Sequence, residues 1–525
     1  MEKKKNIIIL TILYLFFSIF FFAKTGNFLI DFSRESYIPY QMICGDKLVK
    51  DIFLIYGPFG YILNSFLYFL CPTTNLLLIE AHLISFGILF LFYLILNKFF
   101  TEKVSLFFSA IFLAISIFSN STFSFVLPYS FSTLWAIFGI YLALFSLFYN
   151  KKKILFLSLG LILSSKIELF VGAFIISLVY LIYKKEKFYK DIVYFFIFPS
   201  LCMFYFLINN ISLEDILKNN FYLKEMLRAK SLKYLYEGMG VLFNLKYFIY
   251  NLILFLKVFL VFLFSHFLYI IKRPFISYLA IGLLCFLNLN FAFNLAFFIS
   301  IFITILSLRF KSISKEEILL LAFALLLSIK SAFALNSIGY GNFGYCLIVI
   351  YIFLQMQKFV NKKWLINSLI LYFIFSFVFN LVLYFSEDKK LVWVKGNILA
   401  IKNIDLELFN KTNLFIDKHI KPNEKFIVLP EGQIFNLIHK KTYGLYNSTF
   451  TPLDFEIFKD DELISQMKLN KIDYVIFYPR NTKDYGKQEI CFDYAVDFCG
   501  YIMDNYTQVA TLKDNRQVTI FKLKK

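Results

Sequence analysis

Long uncharged apolar stretches alternate along the chain with short polar breaks. Residues 7–23 and 83–96 contain no charged side chain, a purity and length suited to the ~20 apolar residues that cross a bilayer. The pattern predicts helices over 6–23, 74–97, 104–119, 127–149, 154–165, 167–183, 192–209 and 247–270. Two more bracket a thin turn near 288–294, and three follow over 317–335, 341–357 and 364–385. That makes about thirteen membrane-spanning helices. From about residue 386 the apolar runs shorten to strand length, at 426–429, 474–478, 508–512 and 517–523, with helical stretches near 403–420 and 454–469. The last two strands flank Lys513-Asp514-Asn515-Arg516, a hairpin-like turn. The expected fold is therefore an all-α polytopic membrane domain over residues 1–385, followed by a small extracytoplasmic α/β domain over 386–525.

Composition agrees with that picture. Hydrophobic residues make up 59% of the chain and charged residues 17%, against about 25% charge in soluble domains. The 72 Phe and the many Lys and Asn also reflect an AT-rich coding bias. The N-terminus, Met1-Glu2-Lys3-Lys4-Lys5 before an apolar run, resembles a secretory signal. Its run ends in Phe21-Phe22-Ala23-Lys24 without a small-residue cleavage pattern, so a retained first helix is expected.

The formal charge of +19 would suggest nucleic acid, but its distribution excludes that partner. Residues 386–525 hold 21 Lys and Arg against 19 Asp and Glu, so the tail is nearly neutral. The excess lies in short breaks between helices: Lys98 and Lys103, Lys151 to Lys153, Lys184 to Lys190, Lys272 and Arg273, Arg309 to Lys315, and Lys358 to Lys363. These fall at every second break, the positive-inside signature. A cytoplasmic N-terminus and an extracytoplasmic C-terminal domain in a bacterial inner or plasma membrane follow. Seven Cys show no metal-ligand spacing. Cys491 and Cys499 fall in the extracytoplasmic part, where an oxidising compartment would allow a disulfide that the sequence does not decide.

Candidate chemistry concentrates in the first outer loop, residues 24–73. Asp31 and Glu35 are four apart and would share one helix face, with Arg34 beside them. Such a cluster can act as a base, bind a metal, hold a phosphate through the Arg, or simply be a solvated interfacial loop. Within the predicted spans, Glu80 and His82 suit interhelical hydrogen bonding, and Lys257 suits snorkelling or a buried pair.

Asp31, Arg34 and Glu35, then Gly45, then Asp51-Ile52-Phe53 and Tyr56-Gly57-Pro58, resemble the first outer loop of bacterial GT-C class membrane glycosyltransferases. These are the relatives of protein O-mannosyltransferases (glycosyltransferase family 39) and of lipid A aminoarabinose transferases. Members carry an acidic pair just outside helix one; here Glu35 follows Asp31 by four residues instead of directly. Ser164-Ser165-Lys166-Ile167-Glu168 resembles a Lys-x-Glu turn of a bacterial subgroup. Lys330 and residues 336–344, with Tyr340-Gly341, resemble a late outer segment near the lipid phosphate. Leu429-Pro430-Glu431-Gly432-Gln433 and Phe492-Asp493-Tyr494 resemble tail motifs.

The resemblance implies transfer of a sugar from a polyprenyl-phosphate donor to an extracytoplasmic acceptor hydroxyl. It implies catalytic roles for Asp31 and Glu35, and donor-phosphate or substrate binding by Arg34, Tyr56, Lys166, Glu168, Lys330 and Tyr340. The acceptor would be a glycolipid, a polymer or a protein. The sequence itself requires no cofactor, while some members of the class use a divalent metal. A transporter or flippase of lipid-linked saccharides would usually show paired halves, and no internal repeat is evident. A polymerase or ligase of lipid-linked saccharides is the other alternative, although a soluble tail of this size is unlike one.

Overall fold

The structure, a computed structural model, describes residues 2–118, 124–126, 129–239, 241–288, 291–328, 342–386 and 388–524. The first helices are α1 Glu2–Phe21, α2 Asp31–Ile43, α3 Phe59–Leu70, α4 Thr74–Leu96, α5 Glu102–Phe112 and α6 Phe131–Phe148. Next come α7 Lys152–Ser165, α8 Ile167–Tyr183, α9 Ile197–Ile208, α10 Leu213–Arg228, α11 Lys230–Met239 and α12 Leu245–Ile270. The helical part closes with α13 Pro274–Asn288, α14 Phe291–Phe310, α15 Lys315–Ser328, α16 Asn342–Met356 and α17 Lys362–Ser386.

Each predicted apolar segment contains one of these helices. Crossing a membrane is a narrower property. Among the described residues, four helices are long and apolar enough, within α1, α4, α6 and α12. A fifth span results if the stretch Ile192–Ile208 and α10, bent by 115°, count as one. The thirteen predicted crossings are therefore not established by length and composition. The exposed faces suit a bilayer all the same. On α1 the exposed side chains include Ile8, Ile12, Leu15, Phe16 and Ile19, a helical stripe that water would not tolerate.

Two predicted outer loops are more ordered than a loop. Residues 24–73 fold into α2 and α3, and residues 210–246 contain α10 and α11. Ser212 and Asp215 form a reciprocal capping box that starts α10, a device worth about 1 kcal/mol.

The C-terminal part opens with an antiparallel hairpin, β1 Lys389–Val394 and β2 Asn397–Lys402. It continues through α18 Asn403–His419, β3 Phe426–Leu429, α19 Ile434–Ile438, α20 Pro452–Phe458 and α21 Asp460–Asn470. β4 Tyr474–Phe477, α22 Val496–Asn505, β5 Tyr506–Lys513 and β6 Gln517–Leu523 complete it. The four-stranded sheet has the order β3-β4-β6-β5, with β3 and β4 parallel and the other pairs antiparallel. Every residue of β3 is buried, as an unbroken apolar Phe-Ile-Val-Leu strand requires. Cys491 and Cys499 form a disulfide.

Segments predicted to share a side of the membrane do meet one another. The Phe53 amide donates to the Tyr446 carbonyl at 2.7 Å, Tyr222 donates to Glu462 at 2.5 Å, and the Ile434 amide donates to Ser33 Oγ at 2.6 Å. The first loop, the α10–α11 segment and the tail thus gather at one end. Basic breaks meet at the other: Lys152 pairs with Glu186 at 2.5 Å, Lys315 lies 4.2 Å from the Tyr183 ring centre, and Lys358 pairs with Glu317 at 2.9 Å.

Candidate active site

α2 places Asp31, Arg34 and Glu35 on one face, as their spacing predicts. Arg34 lies between the two acids. Its Nε is 3.3 Å from Glu35 Oε1 and its Nη2 is 3.8 Å from Asp31 Oδ1. Its Nη2 also donates to the Tyr129 carbonyl at 3.1 Å, from the segment that leads into α6.

The two carboxylates have different surroundings. Glu35 is 1% exposed and accepts from Tyr61 Oη at 2.8 Å, the Phe131 amide at 3.0 Å and Arg34. The bonds from Tyr61 and the Phe131 amide lock α2 to α3 and α6. Asp31 keeps 29% of its side chain open, and its carboxylate accepts no hydrogen bond among the described residues. Asp31 is recessed rather than sealed. Burial raises its carboxyl above the ordinary aspartate range; Arg34 opposes that rise and the Glu35 charge adds to it.

Lys166 enters from the turn between α7 and α8. It is 3% exposed, donates to Thr133 Oγ1 at 3.0 Å and to the Tyr129 hydroxyl, and lies 3.5 Å from Glu168. Tyr56 joins it to the first cluster. The Lys166 ammonium is 5.0 Å from the Tyr56 ring centre, and the Arg34 guanidinium is 5.9 Å from the same ring. A cation near the face of an aromatic ring is electrostatically favourable, and sharing one ring brings both charges to one spot.

Gly57 explains how the loop reaches that spot. Its amide donates to the Ser165 carbonyl at 3.0 Å, and its own carbonyl accepts from Ser132 Oγ at 3.0 Å. A Cβ here would sit 2.4 Å from the Ser164 carbonyl oxygen. Only glycine lets the loop lie against the turn that carries Lys166.

The tail closes the site from above. Tyr37 Oη accepts from the Tyr443 amide at 3.3 Å, and Ser33 holds the start of α19. Arg480 Nε donates to Glu431 at 2.7 Å and its Nη2 to Asp484 at 2.8 Å. Burial raises the Glu431 carboxyl, and Arg480 opposes that. A cavity of about 290 Å³ lies beside this pair, lined by residues 25–30, immediately before Asp31, and by Glu431, Arg480 and Arg516.

Of the residues singled out in the sequence, Asp31, Arg34, Glu35, Tyr56, Lys166 and Glu168 come together. Lys330 and Tyr340 lie outside the described residues. Glu431 is more than a turn residue, because it anchors Arg480. The Asp493 carboxylate accepts from the Gln488 and Glu489 amides at 2.7 and 3.2 Å, so that motif shapes a loop of the tail. Glu80 accepts from Trp135 Nε1 at 3.0 Å, and His82 Nδ1 faces Ser18 Oγ at 3.2 Å, the interhelical bonding expected of them. Lys257 is exposed on the apolar helix α12.

Sequence reasoning missed Tyr61, Tyr129 and Arg480. One signal was available for the last. The chain has six Arg against 48 Lys, and Arg34, Arg480 and Arg516 all border this region. In a lysine-biased chain, retained arginine marks positions where a planar, forked donor is wanted.

A divalent ion does not fit this cluster. Arg34 occupies the space between the two acids, and Glu35 already accepts from Tyr61, the Phe131 amide and Arg34. Among the described residues no group of three or more His, Cys, Asp or Glu is placed to hold a metal.

No family model matches the sequence, and no curated protein is significantly similar to it. Among solved structures, the chain is similar to the oligosaccharyltransferase of Archaeoglobus fulgidus, in a crystal structure with zinc and sulfate. There the TM-score is 0.46 at 11% identity, over 90% of this chain and 67% of that one. It is also similar to the oligosaccharyltransferase AglB of the same archaeon, in complex with an inhibitory peptide and a dolichol-phosphate. There the TM-score is 0.45 at 11% identity, over 90% of this chain and 69% of that one. Likenesses of that depth carry no part of the functional reading, which rests on the residues.

Proposed function

We propose that the protein is a membrane glycosyltransferase that moves a sugar from a polyprenyl-phosphate donor to an acceptor hydroxyl outside the cytoplasm. The observation that carries this reading is the pair of cations, Arg34 and Lys166, on one ring beside the accessible carboxylate of Asp31. A phosphate attached to a lipid stays at the membrane surface and needs charge-assisted donors. A sugar attached to that phosphate then projects toward the loop and tail. The enzyme would span the membrane through residues 1–385 and carry residues 386–525 on the far side.

In this mechanism Asp31 accepts the proton of the acceptor hydroxyl. The freed oxygen attacks the anomeric carbon, and the bond from that carbon to the phosphate oxygen breaks. Negative charge grows on the departing lipid phosphate, where Arg34 and Lys166 stabilise it. Tyr56 holds the two cations in register. Glu168 competes for Lys166 from a half-open position, 42% exposed, so an incoming phosphate displaces it at little cost. Glu35 is a positioning residue that fixes Arg34.

The test is incubation of purified protein in vesicles with a labelled polyprenyl-phosphate sugar. Transfer or hydrolysis of the sugar supports the reading. Movement of intact donor across the bilayer without bond cleavage contradicts it and points to a flippase. Activity only on a diphosphate-linked oligosaccharide contradicts it in favour of a polymerase or ligase.

A further inference from the structure

The segment between α9 and α12 carries an apolar face that no described residue covers. Leu213, Leu217 and Phe221 recur every four residues along α10, and Leu227 falls beside them. At 3.6 residues per turn the four lie within about a third of the helix circumference. Each is between 58% and 70% exposed, a patch that a chain in water would bury against a partner.

The opposite face is fully engaged. Asn219 donates to the Leu54 carbonyl at 3.0 Å, and accepts from the Leu54 amide at 2.8 Å and from Tyr446 Oη at 3.2 Å. One turn on, Tyr222 donates to Glu462 of the tail. Past the helix end, Ser231 Oγ donates to Glu456 at 2.5 Å. One side of α10 therefore grips the first loop and the tail, and its apolar side faces away from both.

The position of α10 selects what lies under that face. Before it, α9 presents Leu201, Phe204, Leu207 and Ile208 outward, an exposed apolar surface of the bundle. Only residues 209–212 separate the two helices, and the axis turns there by 115°. α10 thus starts where α9 ends and runs close to perpendicular to it, over about 24 Å at 1.5 Å per residue. Its leucines continue the apolar surface of α9 around the bend. α10 does not itself cross a membrane, because Glu214, Asp215, Lys218, Lys224, Glu225 and Arg228 charge six of its sixteen residues. A helix of mixed charge with one apolar face, nearly at right angles to an apolar bundle helix, has the form of one lying in a bilayer surface. Lys224 and Arg228 are exposed on the same side, where long stems lie along lipid while the charged heads stay in water. Arg228 also pairs with Glu225 at 3.2 Å. Acids and bases are equal in number on α10, so burial of apolar area, and not net charge, supplies the attachment.

We infer that α10 lies in the surface layer of the bilayer on the tail's side, with Leu213, Leu217, Phe221 and Leu227 against the upper acyl chains. Through Asn219 and Tyr222 it holds the first loop and the tail at a fixed height above the lipid. The inference is independent of the chemistry at Asp31. The full chain in phosphatidylcholine nanodiscs tests it through added tryptophans. Leu217→Trp and Phe221→Trp report on the face, Leu207→Trp on α9, and Leu469→Trp on the tail, where Leu469 is 82% exposed. Emission is read as the difference from the wild-type chain and its three tryptophans. Phospholipid brominated near the top of its chains removes about half of the emission added by Leu217→Trp and by Phe221→Trp, since such helices sit ~5–10 Å deep. Iodide in the water removes little of it. Leu469→Trp shows the reverse, and Leu207→Trp responds to the brominated lipid as the face does. If either face tryptophan behaves as Leu469→Trp does, the face is in water and the inference falls. If both escape brominated lipid and iodide alike while Leu207→Trp is quenched by the lipid, a protein covers the face and the inference falls equally.

Discussion

Two of the regions that bury carboxylates, one inside the helical bundle and one at its outer end, are arranged differently. Within the helical bundle, Glu80 accepts from Trp135 Nε1 at 3.0 Å, and Asn64 brings its amide nitrogen to 2.6 Å in the orientation that pairs donor with acceptor. Among the described residues no cation pairs with Glu80, and the arrangement ties α3, α4 and α6 together. At the outer end, Glu35 is satisfied in the same way, but its neighbour Asp31 is not. There the second carboxylate stays open, and two cations are held against one ring, each already paired with a carboxylate. Burial of a charged group is therefore a poor sign of function by itself. An accessible group supported by a saturated one is a better sign, because the saturated partner supplies rigidity and the open one supplies reactivity.

The comparison can be broken by substitution. The largest effect is expected at the open carboxylate. Asp31→Asn keeps shape while removing the base, and single-turnover transfer falls ~10²–10⁴-fold. Membrane expression and thermal stability stay near wild type. Next comes the cation. Lys166→Ala weakens donor binding by about 10- to 100-fold, read as a rise in the donor concentration for half-maximal single-turnover rate. The smallest effect belongs to the closed region. Glu80→Gln retains an acceptor for Trp135, so transfer stays within about threefold of wild type while thermal unfolding shifts down slightly. A large loss of transfer in Glu80→Gln at normal stability would erase the distinction between the regions.

Much of the fold was legible because membrane helices are written in local composition. Charge-free runs and their basic breaks placed helices at 74–96 and 167–183 nearly to the residue. Tail strands at 426–429 and 517–523 were legible for the same reason, as short apolar runs between turn residues. The β1–β2 hairpin was not. Lys389, Lys390 and Lys395 break its apolar run, and its register depends on pairing rather than on local pattern. α3 was hidden inside a nominal loop because its twelve residues are apolar but too few to span.

The site was legible in its first-loop residues and in Lys166, where acidic and basic types stand out against apolar sequence. Tyr61, Tyr129 and Arg480 were not. Each is ordinary in its own segment and gains a role only when the chain brings residues 26 to 95 positions apart into contact.

The most direct test of the central claim is the pH dependence of single-turnover transfer. A base must be deprotonated to work, and the Asp31 carboxyl is raised by burial. The rate should therefore fall as pH drops through a value above the ordinary aspartate figure of ~3.9. That acid limb should persist in Glu35→Gln, whose residue only positions Arg34, and should vanish in the residual activity of Asp31→Asn. An acid limb that survives Asp31→Asn and disappears in Glu35→Gln would contradict the assignment and make the sealed carboxylate the base.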